Sequence, residues 1–129
     1  MAAAVADYRP SNPLAGKREK NPEMWSVALE PTEDVLAELG RRRRNGQVLV
    51  GFAADEGARG LERTREKLAN KGGQLFVYND VSRSDIGFDT PDNEVTLVGR
   101  RGERVVGKRS KQEVAVAILD EISTLLGEA

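Results

Sequence analysis

The sequence contains no cysteine and no histidine among its 129 residues. Without cysteine, disulfide bonds, thiol catalysis and zinc–thiolate sites are excluded. Without histidine, the commonest general base and metal ligand are missing, and a serine–histidine triad is excluded. Any chemistry must therefore use Asp, Glu, Lys, Arg or Asn side chains, backbone groups, or a hard cation such as Mg²⁺.

An excess of charge of one sign is also missing, because 20 basic and 21 acidic residues leave a net charge of −1. This balance argues against a dedicated nucleic-acid or membrane-surface protein. No stretch approaches the roughly 20 apolar residues of a membrane span. The apolar start of the chain carries no basic leader, so a signal peptide is not indicated. We expect a soluble cytoplasmic protein with no nucleic-acid and no membrane partner.

Glycine-rich phosphate loops are absent as well, since neither G-x-x-x-x-G-K-[ST] nor G-x-G-x-x-G occurs in the sequence. Gly72 and Gly73 follow a charged helical stretch, which predicts a helix C-cap. The four arginines at 41–44 also follow a helical stretch, where cations are stabilised by the helix dipole. We favour that interpretation of the arginines over nucleic-acid binding.

The pattern of the chain predicts one α/β domain across residues 1–129, a length typical of a single domain. Runs typical of buried strands cover residues 1–6, 47–53 and 75–78. Helical patterns cover residues 32–44 and 58–71. Helices that alternate with buried strands predict a Rossmann-like, mostly parallel sheet with flanking helices.

Local signals predict several further elements. Residues 9–22 hold three of the five prolines and no apolar periodicity, which predicts a long flap. Residues 25–29 alternate and predict a short strand, and Thr32 is then the expected N-cap of the next helix. Residues 95–106 predict a β-hairpin. Ser110 followed by Glu113 matches a capping box and predicts a C-terminal helix.

Polar residues follow three of the predicted strands, at Asp7, Asp55 and Asn79. In open α/β sheets ligands bind beyond the carboxyl ends of the strands, so these residues are expected on one rim. Asp7 could accept a hydrogen bond from a substrate or help to hold Mg²⁺, and Asn79 suits a base or ribose edge. Asp and Asn after a strand are also ordinary turn residues, so both interpretations stay open.

The flap carries lysines at 17 and 20. A mobile cationic loop above a strand rim can close on an anion and stabilise developing charge, so Lys17 and Lys20 are candidates to neutralise a triphosphate. A solvated loop without a ligand is the alternative.

The ordered motifs resemble one family. They are Ala-Ala-Val-Ala-Asp-Tyr-Arg at 3–9, Lys-Arg-Glu-Lys at 17–20, Gly-Phe-Ala-Ala-Asp at 51–55, Lys-Leu-Ala-Asn-Lys-Gly at 67–72, Tyr-Asn-Asp-Val-Ser at 78–82 and Asn-Glu-Val-Thr-Leu at 93–97. Together they make the chain similar to the C-terminal part of phosphopantothenate–cysteine ligase (phosphopantothenoylcysteine synthetase) of coenzyme A biosynthesis. That enzyme is often fused to the decarboxylase of the same pathway. The likeness runs over nearly the whole chain.

The resemblance implies a ligase with CTP as co-substrate and Mg²⁺. The carboxylate of 4'-phosphopantothenate is activated as an acyl-cytidylate with release of pyrophosphate, and the amine of cysteine then forms the amide. The resemblance also implies the following roles. Substrate-binding residues are Ala3, Ala4 and Asp7; nucleotide-binding residues are Phe52, Asn79, Lys67 and Lys71; catalytic residues are Asp7 and the flap lysine Lys17, with Lys20 beside it in the flap.

Two departures from the family bear on activity. Glu19 puts a carboxylate where the family has a cation, which weakens attraction of an anion by the flap. The N-terminal half of the family fold, with its Gly-rich turns, has no counterpart, so we expect a fragment that is inactive alone. A homodimer or the missing N-terminal and decarboxylase parts are the expected partners. The alternative is a non-catalytic nucleotide-binding or dimerisation module of the same fold.

Overall fold

The computed structural model describes residues 5–87 and 89–127. Contacts divide the chain into two compact units, Met1–Asp34 and Val35–Ala129. The predicted first strand at residues 1–6 falls mostly outside the described residues, and residues 5 and 6 are not in a strand.

The first unit is a short antiparallel pair with a long irregular segment between its strands. Strand β1 (Tyr8–Pro10) pairs with β2 (Leu29–Pro31). The irregular segment covers residues 11–28, so the flap starts two residues later and extends further than predicted. Because β1 and β2 form only three residue pairs, little of this unit is held by regular hydrogen bonding.

Two predictions in the first unit are wrong. Residues 25–28 are not in a strand; instead the Arg18 guanidinium lies 4.4 Å from the centre of the Trp25 ring, a cation–π contact. Thr32 is not a helix N-cap, because the next helix begins three residues later, at Val35. Its hydroxyl donates to the Ala6 carbonyl and its N–H donates to the Asp7 carbonyl at 2.9 Å.

The second unit has alternating helices and strands, followed by a hairpin and a helix. Its elements are α1 (Val35–Arg42), β3 (Val50–Asp55), α2 (Gly57–Lys71), β4 (Leu75–Asp80), β5 (Asp92–Gly99), β6 (Gly102–Ser110) and α3 (Lys111–Gly127). The predicted α/β class, the hairpin and the C-terminal helix are confirmed. Gly72 has φ 72°, the left-handed conformation that favours glycine, which confirms it as the C-cap of α2.

The described strands of this unit form one sheet in the order β3-β4-β5-β6. Strands β3 and β4 are parallel, but β4–β5 and β5–β6 are antiparallel, so the prediction of mostly parallel strands is wrong for this sheet. A parallel connection needs a crossover of about a dozen residues or more, usually helical. Such a helix joins β3 to β4, whereas a two-residue loop joins β5 to β6.

Two apolar clusters lie on opposite faces of this sheet. Successive side chains of a strand point to opposite faces. Strand β4 contributes Leu75 and Val77 to the cluster covered by α3 through Val114, which we call the α3 face. It contributes Phe76 to the cluster covered by α2 through Leu68, the α2 face.

The C-terminal helix begins with the predicted capping box. The Ser110 N–H donates to the Glu113 carboxylate at 3.1 Å, and the Glu113 N–H donates to the Ser110 hydroxyl oxygen at 3.3 Å. Both ends of the motif therefore satisfy backbone donors of the first turn, and the prediction is confirmed. Neither α3 nor any other described helix has the length and apolarity to cross a membrane.

Candidate functional site

Phe52 and Asn79 lie on the same face of the sheet, near the carboxyl ends of adjacent parallel strands. Phe52 is in register with Val77, and Ala54 is in register with Asn79. Val77 belongs to the cluster on the α3 face. Because residues two apart on a strand share a face, and so do registered neighbours, Phe52 and Asn79 both point to the α3 face.

The Phe52 ring is an exposed aromatic surface, with the residue 73% accessible on the edge strand of the described sheet. From the strand spacing and the rise of two residues, its Cα lies about 8 Å from that of Asn79.

The Asn79 amide oxygen is buried and has no hydrogen-bond partner among the described residues. Asn79 lines a cavity of about 220 Å³ together with Gly87, Asn93 and Lys111. A buried acceptor without a donor costs about as much as a lost hydrogen bond. The cavity is therefore suited to a ligand or a water that presents a donor.

The carboxylates at the ends of β3 and β4, Asp55 and Asp80, are already engaged. Asp80 accepts from the Ser82 hydroxyl at 2.6 Å and from the Gly57 N–H at 3.0 Å, and these bonds hold its pKa below the ordinary value. Asp55 pairs with the Arg63 guanidinium, which with the Glu56 N–H lowers the pKa of Asp55 to about 2. Both carboxylates therefore shape the loops after β3 and β4.

The ion pair of Asp55 predicts a pH-dependent stability. Its folded pKa of about 2 lies below the ordinary 3.8, so the contribution is present above the ordinary value and lost as the pH falls through the folded value. We expect Asp55→Asn to lower the free energy of unfolding near neutral pH, with the difference from the parent protein shrinking as the pH falls below about 4.

Urea denaturation followed by circular dichroism between about pH 3 and 7 measures this difference. Asp120→Asn is the matched control, because Asp120 is exposed on α3 and forms no ion pair among the described residues. A deficit of Asp55→Asn that stays constant over that pH range would contradict the assignment of the stabilisation to the ionised carboxylate.

Lys67 and Lys71 lie on α2, on the opposite face of the sheet from Phe52 and Asn79. Both are half-buried, and the charge of Lys67 is one of the smaller influences that lower the pKa of Asp55. The structure thus brings Phe52 and Asn79 together on one face and places the two lysines on the helix that covers the other.

The remaining residues of the expected site belong to the first unit or fall outside the described residues. Asp7 precedes β1 and is exposed, and Lys17 and Lys20 are exposed in the irregular segment between β1 and β2. Ala3 and Ala4 lie outside the described residues. The roles given to these residues stay predictions.

Three features of the site were missed by sequence reasoning. Arg63 stands eight residues after Asp55, a spacing that places it two turns into the following helix, and this pattern could have revealed the pair. Asn93 and Lys111 join Asn79 from distant parts of the chain, and no local signal marks them.

Within the described ranges, no group of three or more acidic side chains could hold a metal ion.

The fold and the geometry define an α/β domain with a candidate ligand site at the carboxyl edge of its parallel strands. A family model described as the DNA/pantothenate metabolism flavoprotein C-terminal domain matches residues 1–126. The chain belongs to this family. At the level of the family, this confirms the resemblance inferred from the ordered motifs.

The chain is similar to named relatives and to a solved structure. The coenzyme A biosynthesis bifunctional protein CoaBC of Bacillus subtilis (strain 168) is 38% identical over 125 residues, which is 95% of this chain and 30% of that protein. CoaBC of Mycolicibacterium smegmatis is 39% identical over 136 residues, covering 98% of this chain and 33% of the relative. The crystal structure of a CoaBC C-terminal domain aligns with a TM-score of 0.71 at 32% identity, over 98% of this chain and 53% of that one. The chain thus spans about a third of the length of these curated relatives.

Proposed function

We propose that this chain is the C-terminal, nucleotide-binding part of a ligase that joins 4'-phosphopantothenate to cysteine, with CTP as co-substrate. The names of the relatives place them in coenzyme A biosynthesis. The observation that carries the proposal is the placement of Phe52 and Asn79 on one sheet face at the ends of parallel strands. That edge is where open α/β sheets bind ligands.

In the proposed reaction, a carboxylate oxygen of 4'-phosphopantothenate attacks the α-phosphorus of CTP and pyrophosphate leaves. The cysteine amine then attacks the acyl carbon of the acyl-cytidylate, the amide bond forms and CMP leaves. We assign substrate binding to Ala3, Ala4 and Asp7, and give Asp7 and Lys17 catalytic roles. The exposed ammonium groups of Lys17 and Lys20 carry positive charge that suits the triphosphate. They would also stabilise the negative charge that develops on the pyrophosphate as it leaves.

We assign Phe52 and Asn79 to the base or ribose, and Lys67 and Lys71 to phosphate contacts. An aromatic face on an edge strand suits stacking, which tolerates any base. The amide of Asn79 adds a directional contact. Because α2 covers the opposite face of the sheet and Lys71 is its last residue, close to the start of β4, these two assignments rest on the family resemblance alone.

Mg²⁺ would fit this site only when it is bound to the phosphates of the nucleotide. The carboxylates at the ends of β3 and β4, Asp55 and Asp80, are engaged with Arg63, Ser82 and backbone donors. Mg²⁺ prefers oxygen ligands, keeps several waters and is usually held through substrate phosphates with one or two carboxylates. The metal would supply charge neutralisation at the triphosphate.

We further propose that the chain works in the cytoplasm, as a homodimer or beside the other parts of a longer protein. The outer side of α3 carries an exposed apolar row that a partner would cover: Val116, Leu119 and Leu126. Burial of such a row is favourable in proportion to the apolar area removed from water.

Isothermal calorimetry of the chain with CTP and Mg²⁺ tests the nucleotide site. We expect binding, and we expect Phe52→Ala to weaken it about tenfold, because base–aromatic stacking is worth about 1–3 kcal/mol. Val105→Ala is the control, since it removes an exposed apolar side chain from β6, away from this edge. We expect no pyrophosphate release from the chain alone.

The outcome separates the candidate functions. No heat at about millimolar CTP would contradict the nucleotide site and favour the non-catalytic assembly module. Pyrophosphate release that requires 4'-phosphopantothenate would instead show that this chain carries out the activation step, which would favour a complete enzyme on a minimal scaffold.

A further inference from the structure

A second cavity, of about 280 Å³, lies beside the amino end of β4, whereas Asn79 lies near the carboxyl end of that strand. Its apolar wall consists of Leu75, Leu97 and Leu125, which belong to the cluster on the α3 face or pack against it. Pockets for drug-sized ligands measure about 300–1,000 Å³ and have mostly apolar walls. This cavity therefore suits a smaller ligand that has an apolar part.

Two glycines that face each other across the hairpin leave this space open. Gly99 ends β5 and is in register with Leu75 of β4 and with Gly102 of β6. Because registered neighbours share a face, and so do residues two apart on a strand, both glycines take positions on the α3 face beside Leu97. Neither position carries a side chain, so the α3 face is bare at this end of the hairpin.

The charged side chains that line the cavity leave an excess of positive charge. Glu121 accepts from the Arg104 guanidinium at 3.1 Å, and Glu103 accepts from the Arg65 guanidinium at 2.9 Å. Arg100, in the two-residue loop between β5 and β6, is exposed and forms no ion pair among the described residues. The two acidic residues are therefore neutralised, and the charge of Arg100 is not.

We propose that this cavity binds a small amphipathic anion, a carboxylate that carries an apolar chain. The chain would lie on Leu75 and Leu97, where its removal from water is favourable in proportion to the apolar area buried. The carboxylate would lie at the β5–β6 loop, because the planar guanidinium of Arg100 presents donors that match two carboxylate oxygens. The site is separate from the proposed nucleotide site and does not depend on it.

Octanoate is a suitable probe, and NMR spectroscopy of the ¹⁵N-labelled chain locates where it binds. With about ten non-hydrogen atoms, it should bind with a Kd of about 1 mM or tighter. We expect saturable shifts of the Gly99 and Gly102 amide signals, and no such shifts at Gly46 and Gly87, which lie elsewhere in the fold. Absence of saturable shifts at Gly99 and Gly102 up to about 10 mM octanoate would overturn the proposal.

Three further probes separate the contribution of the chain from that of the charge. Acetate lacks the apolar chain and should bind at least about tenfold more weakly than octanoate. 1-Octanol lacks the charge and should bind about twofold to fivefold more weakly, since an exposed ion pair contributes little. Octylammonium reverses the charge and should bind more weakly than 1-octanol. Octylammonium or 1-octanol that binds as tightly as octanoate would contradict an anion site.

Arg100→Gln tests the residue that faces the carboxylate. It should weaken octanoate about twofold to fivefold and leave 1-octanol unchanged, so the ratio of the two affinities falls toward one. Arg59→Gln is the matched control, because Arg59 is an exposed arginine of α2 that does not line the cavity. It removes the same charge and should leave the ratio unaltered. The same ratio in Arg100→Gln as in the parent chain would refute the role of Arg100.

Gly99→Ala and Gly99→Val test the position of the apolar chain by filling the cavity in steps. A Cβ at Gly99 would lie 3.7 Å from the Gly102 carbonyl oxygen and 3.8 Å from that of Gln74, which are ordinary contacts, so the alanine variant should fold. We expect octanoate binding to weaken in both variants, by at least about tenfold in Gly99→Val. Gly107→Ala, a glycine of β6 that does not line the cavity, should bind octanoate like the parent chain. Unchanged octanoate affinity in both Gly99 variants would overturn the placement of the ligand.

Discussion

Replacement of Phe76 by alanine is expected to lower the free energy of unfolding by about 3–5 kcal/mol. Phe76 is 2% exposed and packs in the cluster on the α2 face with Leu68 and Val98. Its ring also fills the space over Gly51, where an added Cβ would lie 2.5 Å from a ring carbon. Truncation therefore leaves a cavity in a region where backbone and ring are closely packed, and urea denaturation measures the loss.

Phe52→Ala is the matched control for this prediction, because the same truncation on the neighbouring strand removes a ring that is 73% exposed. We expect it to change stability by less than about 1 kcal/mol. The two variants should thus separate, with Phe76→Ala affecting folding and Phe52→Ala affecting nucleotide binding. Equal losses of stability in both would contradict the assignment of Phe76 to the core.

The cavity explanation has a second consequence for Gly51. In the parent protein Gly51→Ala should be destabilising, since the new methyl group meets the Phe76 ring. In the Phe76→Ala background the same substitution should cost much less. A double-mutant cycle measures this coupling, and strictly additive effects would show that the two positions do not share the space.

Replacement of Gly40 by alanine is expected to lower the free energy of unfolding by about 2 kcal/mol. A Cβ at this position would lie 2.1 Å from the Lys71 carbonyl oxygen and 3.2 Å from the Gly72 Cα. These are backbone atoms at the end of α2, so the two helix ends would have to separate. The gain in helix propensity, up to about 1 kcal/mol, does not offset the overlap.

Gly107→Ala controls for the general effect of replacing glycine. Apart from Gly107 and its two chain neighbours, no described residue has a heavy atom within 4 Å of a Cβ built at Gly107, and its backbone is not in the left-handed region. We expect its stability to be unchanged or slightly raised. Thermal unfolding compares the two variants, and a Gly40→Ala protein as stable as its parent would show that α1 does not pack tightly on the end of α2.

Structural elements whose sequence signal lies within a few residues could be predicted from the sequence. The capping box of Ser110 and Glu113 acts within one helical turn, and the glycine at 72 supplies a left-handed cap that other residues rarely adopt. The buried strands β3 and β4 and the hairpin were likewise found from composition and alternation. The boundaries were less certain, since β3 begins three residues later than its apolar run and ends two residues beyond it.

The candidate site was predictable only in part. The family motifs pointed to Phe52 and Asn79, but nothing in the linear pattern shows that both side chains point to the α3 face. The cavity needs Asn93 and Lys111 as well, from another strand and another helix. Whether the Asn79 oxygen has a hydrogen-bond partner depends on every group around it. Only the tertiary structure shows that it has none among the described residues.

By itself, the sequence determined the chemistry that is excluded, the α/β class, the caps at Ser110 and Gly72 and the family, because each depends on residue identity or on spacing within a short segment. Tertiary structure decided the strand directions after β4, the loss of Thr32 as a cap and the surroundings of Asn79. All of these depend on groups that are distant along the chain or on the closure of a loop. Their outcome is set by competition among contacts that no local pattern contains.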